Sequence, residues 1–321
     1  MSAGYFPKRE TLSLKDLFKG LATASHVLHY HGVLDAYGHV SVRSPDNPAT
    51  FWMPRNVPPA LISSPNDFVE YKIEDASAVE TNAAKGYVER YIHSEIYKKF
   101  PDINSVVHSH SEHVLPYAVS GVPLKPTIHM AGFLGTTVPI WNISSAYSSG
   151  SLQDVLVRDV PLGASFASTF KPATSTGFIY SKVRSALPSQ IGGSQEPDNK
   201  PNHSVSLMQN HGFTTVAYGI EEAVYQAIYT QEAAKAQTSS LVLRNAYVGH
   251  VLEGKVDVEG GGKFKSAKVK AEGGIAYLTD QEAHDTWKSI QTTIERPWEL
   301  WQREVEVHPL YRYDSSGTDY D

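Results

Sequence analysis

The chain of 321 residues contains no cysteine. That excludes disulfides, thiolate nucleophiles and thiolate metal ligands together, and leaves histidine and the carboxylates as its strong metal ligands. Any metal site must therefore be built from nitrogen and oxygen. No run of 18 apolar residues occurs, so a membrane-spanning helix is not expected. The segment Met1 to Lys8 lacks the apolar centre of a signal peptide, and the cytoplasm is the expected location. A basic excess is missing too. With 28 Lys and Arg against 34 Asp and Glu the net charge is −6, and no block of like charge is long enough to hold nucleic acid or an anionic membrane. Neither Gly-x-Gly-x-x-Gly nor a Walker sequence is present, so a dinucleotide cofactor is not expected.

Among what is present, 41% hydrophobic and 19% charged residues suffice for a large buried core. Ser13-Leu14-Lys15-Asp16 has the form of a capping box, and Leu17, Leu21, Ala24, Val27 and Leu28 recur at helical spacing up to Gly32. Short strands are expected at His39 to Arg43 and Phe51 to Met53, parted by the loop Ser44 to Pro48. Helical periodicity runs from Asn82 to Phe100 and carries Glu89; Ile103 to Val107 reads as a strand and Ser111 to Val119 as a helix. Another strand is expected at Gly212 to Ala217, then a long helix from Ile220 to Leu243 with alanines suited to close packing. This alternation predicts one α/β domain over 1–321, a three-layer α/β/α arrangement with a central, mainly antiparallel sheet. Residues 187–202 and 254–274 are expected as surface insertions, and 297–321 as an extended C-terminal tail.

The feature that carries chemistry is His108-Ser109-His110, at the end of an apolar run. On a strand, side chains at i and i+2 leave one face with their backbones about 6.6 Å apart, near enough for two imidazoles to converge on one ion. A third histidine, His211, has a similar setting where a short apolar run meets Asn210-His211-Gly212. Three neutral imidazoles at strand ends, with one coordination position open, are a common protein contribution to a catalytic zinc or related ion. A His-x-His pair among fourteen histidines also arises by chance, and the setting is what argues for a site. His26, His29 and His31 have helical spacing but no partner motif, which reads as packing or solvent exposure.

Four ordered pieces, together with the helix Glu221 to Gln237, resemble the class II aldolase/adducin family over roughly residues 10 to 250: Gly38-His39-Val40-Ser41-Val42-Arg43, then Glu89 in Tyr87-Val88-Glu89-Arg90, then Pro101 to His110, then Asn210-His211-Gly212. The resemblance implies a C4 homotetramer and one divalent ion per subunit held by His108, His110 and His211, with Zn2+ first and Fe2+, Mn2+ or Co2+ as alternatives. Glu89 matches the family's acidic residue, which ligates the resting ion or serves as acid/base once substrate displaces it. Tyr311 and Tyr313 resemble tail residues that in some members reach a neighbouring subunit's site.

Departures from the family narrow the substrate. Its sugar-phosphate aldolases hold phosphate with a Gly-Asn, a Thr-Gly and a Ser-Ser pair, where this chain reads Gly38-His39, Arg55-Asn56 and Tyr87-Val88. Bulkier groups have replaced the hydroxyl donors. Arg55 can hold a carboxylate through two parallel hydrogen bonds, and His39 can add a donor. The pattern is closer to the family's decarboxylase-like branch, which acts on hydroxylated pyridine dicarboxylates. The expected substrate is a small hydroxylated carboxylate bound by His39, Arg55, Tyr87 and His129. The expected activity is a metal-dependent carbon–carbon lyase, a decarboxylase or a retro-aldolase, in which a cation stabilises an enolate. Two alternatives are a non-haem metal oxygenase using the same open nitrogen and oxygen site, and an adducin-like interaction protein without catalysis. Retention of the three histidines and Glu89 argues against the second.

Overall fold

The structure is a computed structural model that describes residues 13–171, 200–252 and 274–315. Its helices are α1 (Leu14–Tyr30), α2 (Arg90–Lys99), α3 (Leu115–Val119), α4 (Val160–Ala167), α5 (Ile220–Leu252), α6 (Asp280–Ile290) and α7 (Glu295–Glu306). Strands β1 (His39–Arg43), β2 (Thr50–Pro54), β3 (Phe68–Lys72), β4 (Ser105–Ser109), β5 (Ile140–Trp141), β6 (Val205–Met208) and β7 (Gly212–Ala217) form one sheet in the order β3-β2-β1-β4-β7-β6-β5. Neighbouring strands are antiparallel except β5 with β6. No helix among the described residues is long and apolar enough to cross a membrane.

The pleat sorts side chains into two layers. Val40, Val42, Val107 and Phe213 face one side, where they pack with Leu17, Leu21 and Val27 of α1 and Val224 and Ala227 of α5. Phe51, Met53, Val106 and Val216 face the other, against Ile92, Ile96 and Tyr97 of α2 and Leu162 and Phe166 of α4. The expected α/β/α layering is therefore present, with helices covering both faces of a mostly antiparallel sheet. His39, Ser41 and Arg43 leave β1 on the α2 side, at the odd positions of the strand. The buried Arg43 donates to the carbonyls of Ile103, Pro48, Tyr97 and Phe100, which ties the C-terminal end of α2 to the chain entering β4.

Several boundaries differ from the sequence expectation. Ser13 caps α1 as foreseen, its Oγ accepting the Asp16 N–H at 3.1 Å, a contact whose removal typically costs about 1 kcal/mol. The helix expected from Asn82 starts only at Arg90, so Glu89 is its N-cap rather than an interior residue. Upstream, Gly86 bridges Arg55 and the Lys85 carbonyl accepts the Asn56 N–H, so this segment runs beside the Arg55 loop instead of coiling. Ser111 to Val114 is a turn before α3, and α5 continues to Leu252. The tail expected to be extended from 297 is helical to Glu306, because Trp301 and Val305 lie one turn apart and bury one stripe of α7 in the α1 and α5 layer. Residues 187–199 and 254–273 of the expected insertions, and 316–321 of the tail, lie outside the described residues.

Candidate active site

Three elements carry the candidate ligands. β4 delivers His108 within the strand and His110 just beyond it, while Glu89 stands at the N-cap position of α2 with its side chain free of any capping bond. His211 comes from the β6–β7 hairpin, where Met208 pairs with Gly212 across the turn Gln209 to His211. Asn210 holds φ +58°, a left-handed conformation that asparagine tolerates better than most residues. A Cβ on Gly212 would lie 2.1 Å from the Ser109 carbonyl oxygen and 3.2 Å from the His110 Cα. Only glycine lets the hairpin close onto the end of β4, and that approach sets His211 beside His110.

The donor atoms of Glu89, His108, His110 and His211 all lie within 4.8 Å of one another. His108 Nε2 is 3.0 Å from His110 Nε2, His211 Nε2 is 3.3 Å from Glu89 Oε2, and His108 Nε2 is 3.8 Å from the same oxygen. A tetrahedral site with ligand bonds of about 2.05 Å has edges of about 3.3 Å, which these separations bracket. Both ring nitrogens of His211 are buried and make no hydrogen bond, and the 3.3 Å approach to Glu89 lacks hydrogen-bond alignment. Buried polar atoms are normally satisfied, so a divalent cation fits this donor set: it would satisfy His211, separate the two facing Nε2 atoms and neutralise Glu89.

The remaining atoms of these residues are held from outside. His108 Nδ1 meets Thr214 Oγ1 at 3.1 Å, and His110 Nδ1 meets Asp35 Oδ2 at 3.2 Å. Asp35 Oδ1 also accepts the Tyr37 and Gly38 N–H groups, each at 2.8 Å. Burial alone would raise the Asp35 pKa, but hydrogen bonds from His110 and these two amides hold it well below the usual carboxylate range. A carboxylate on the far ring nitrogen leaves Nε2 free of its proton and aimed at an ion. Burial, followed by the neighbouring His110 and His211, holds His108 well below the normal histidine value; it is a neutral imidazole, as ligation requires. Glu89 Oε1 accepts the Val157 N–H at 2.9 Å, so Oε2 faces the histidines.

The expected substrate contacts separate into two groups. His39 is buried with its ring 5.1 Å from that of His108, and Tyr87 lies 4.7 Å from His39. The Tyr87 hydroxyl donates to the Val57 carbonyl, and burial raises its pKa. Arg55 is close enough for its charge to act on that phenol, but its Nε and Nη2 both hold Asp67 Oδ1, at 2.9 and 2.7 Å. Only the outer edge of the guanidinium remains for a ligand. His129 is exposed at the start of a 3-10 turn, with no hydrogen bond or ring contact to the cluster. Asp35, Thr214 and His93, which meets His39 Nδ1 at 2.7 Å, were not singled out from the sequence. His93 had a usable signal, lying one helical turn after Glu89; Asp35 and Thr214 had none. His26, His29 and His31 pack, against the Ile62 carbonyl, Tyr311 and Glu304 respectively.

Residues 19–238 match the family model described as Class II Aldolase and Adducin N-terminal domain. The chain belongs to the class II aldolase/adducin family. It is 42% identical over 289 residues to decarboxylase tropJ of Talaromyces stipitatus, covering 89% of this chain and 92% of that one. It is 25% identical over 215 residues to a 3,4-dihydroxyphthalate decarboxylase of Arthrobacter keyseri, covering 65% and 73% of the two. In fold it is similar to L-fuculose 1-phosphate aldolase from Glaciozyma antarctica PI12, with a TM-score of 0.59 over 97% of each chain at 17% identity. The family and its decarboxylase members support an enzyme of the lyase class acting on small molecules. Divalent-metal dependence is general in the family, and the His/Glu cluster can bind such an ion.

Proposed function

We propose that this protein is a metal-dependent decarboxylase of a small hydroxylated, ring-bearing carboxylic acid, using zinc or a related divalent ion held by His108, His110 and His211. The observation that carries the reading is the convergence of Glu89 Oε2 on the histidines, 3.3 Å from His211 and 3.8 Å from His108. A bound divalent ion supplies Lewis acidity, lowering the energy of negative charge that develops on substrate oxygen. Loss of CO2 leaves a carbanion that must take up one proton, and Glu89 is the group placed to carry it. Its Oε1 is fixed by the Val157 amide, so exchange occurs at Oε2. Tyr87 and His39 lie buried beside the histidines, where bulkier groups stand in place of the hydroxyl donors that a phosphate would need. The outer edge of Arg55 holds a carboxylate that stays on the product. The name of the Arthrobacter keyseri relative, a dihydroxyphthalate decarboxylase, supports an aromatic substrate with adjacent hydroxyl groups.

The test is elemental analysis of the purified protein, followed by incubation of zinc-, manganese-, iron- and cobalt-loaded samples with dihydroxybenzene carboxylic and dicarboxylic acids. CO2 release is expected without oxygen consumption. Aldehyde release would redirect the reading to aldol cleavage, and a strict oxygen requirement to an oxygenase. Glu89→Gln should retain metal and lose turnover by about 100-fold or more; unchanged turnover removes Glu89 from proton transfer.

A further inference from the structure

A buried hydrogen-bond chain runs from the interior to His39, beside His108, and includes none of the four cluster residues. Tyr97 OH lies 2.7 Å from Ser41 Oγ, Ser41 Oγ lies 2.6 Å from His93 Nδ1, and His93 Nε2 lies 2.7 Å from His39 Nδ1. All four residues are nearly inaccessible to solvent. Two interlocked periodicities build the chain. His39 and Ser41 are two apart on β1, and His93 and Tyr97 are four apart on α2, so each pair shares one face of its element.

The direction of donation follows from what each hydroxyl can reach. The Tyr97 hydroxyl reaches Ser41 Oγ at 2.7 Å and, more distantly, the Asn104 carbonyl at 3.5 Å. That carbonyl already accepts the Arg43 amide at 2.8 Å. The Arg43 guanidinium lies 4.9 Å over the Tyr97 ring, drawing density from the phenol and strengthening its O–H as a donor. The shorter contact, to Ser41, is the one we assign to the Tyr97 proton. Ser41 then donates onward to His93 Nδ1, which must be a bare nitrogen. Burial keeps His93 neutral, its pKa lowered to about 3, so its single proton is on Nε2 and is given to His39 Nδ1. With Nδ1 accepting that proton, the His39 ring keeps its own on Nε2.

We propose that Tyr97, Ser41 and His93 are positioning residues that fix His39 as its Nε2–H tautomer, so that the imidazole presents a neutral donor to the carboxylate that departs as CO2. The target of that donor rests on the decarboxylase reading; the tautomer does not. A neutral donor suits the place. The leaving carboxylate gives up its charge as the bond breaks, and a full cation against it would stabilise the starting state more than the transition state.

The experiment uses zinc-loaded, full-length protein with 15N-labelled histidine and long-range 1H–15N correlation spectra, in which the coupling pattern of each ring reports its tautomer. The His39 signals are assigned by their loss in His39→Gln. His39 is expected as Nε2–H in the parent protein. In Ser41→Ala, where His93 Nδ1 loses its donor, it is expected to shift towards Nδ1–H. His93→Gln, whose amide N–H can replace the His93 donor, should keep the parental tautomer and lie closer to the parent in KM than His93→Ala does. A parent spectrum with His39 as Nδ1–H overturns the proposal. So does an Nε2–H signal that persists unchanged through Ser41→Ala, Tyr97→Phe and His93→Ala. An Nε2–H parent that shifts as expected but releases no CO2 from any acid upholds the positioning chain and removes the decarboxylase reading alone.

Discussion

Replacing Asp35 by asparagine tests the proposed metal centre without touching a proposed ligand. Asp35 Oδ1 accepts two backbone N–H groups at 2.8 Å, while His110 Nδ1 lies 3.2 Å from Oδ2 and 3.3 Å from Oδ1. Asparagine can keep its carbonyl oxygen on Tyr37 and Gly38, so the turn before β1 survives. Its amide nitrogen then faces His110 Nδ1 as a donor. Two donors cannot face each other, so the imidazole moves its proton to Nε2, the atom that must be bare to bind an ion. Loading metal has to reverse that tautomer and leave a poor contact behind. Removal of such an outer partner typically weakens metal binding about 10–100-fold, or about 1.4–2.7 kcal/mol. Asp35→Asn should fall at the upper end, because it opposes the productive tautomer and does not merely lose support for it. Competition for zinc against a chromophoric chelator measures the affinity, and circular dichroism of the metal-free variant checks that the fold is intact. A zinc affinity within twofold of the parent, with the fold intact, would refute the reasoning that Asp35 orients His110.

Arg55→Ala should raise KM for a carboxylate substrate about tenfold or more while leaving metal content unchanged; identical steady-state kinetics would take Arg55 out of the site. Gly212→Ala forces a Cβ to within 2.1 Å of the Ser109 carbonyl, and the hairpin must shift, costing about 1–3 kcal/mol. Urea unfolding and zinc titration should both show the loss, since His211 moves with the hairpin; parental values in both would contradict the close-approach argument. Acid should weaken the fold well above the carboxylate range. His26 and His93 have pKa values lowered to about 4 and about 3, in each case chiefly by burial. Between those values and the unfolded value of about 6.5 the unfolded chain binds protons that the folded chain refuses. Stability contributed by their neutral burial is present above pH 6.5 and falls as pH drops, at up to about 1.4 kcal/mol per pH unit per histidine. Urea midpoints that stay level from pH 7.5 to pH 5 would count against it, and His93→Gln should show a shallower decline.

What the sequence could determine lay within a few residues of itself. Strand alternation put His108 and His110 on one face, Ser13 marked the start of α1, and the alanines of α5 announced close packing. Residue type did the rest: with no cysteine in the chain, three histidines at strand ends pointed to a nitrogen and oxygen site, and the family resemblance added Glu89. The period of a helix or strand is a local property, and a boundary failed where distant pairing overrode it, as when Gly86 bridged Arg55 and delayed α2 until Arg90. The partners that tune the site are of another kind. Asp35 reaches His110 across 75 positions, His39 reaches His93 across 54, and Glu89 reaches the Val157 amide across 68. Those contacts follow from sheet order and register, which the whole core decides by burying both faces of the sheet at once. The same holds for the Asp67 carboxylate that occupies two nitrogens of Arg55. The sequence, with the family resemblance, identified the residues able to bind an ion; only the tertiary structure supplied the partners on the far nitrogens of His108 and His110, because a tautomer is set by the neighbour across the fold.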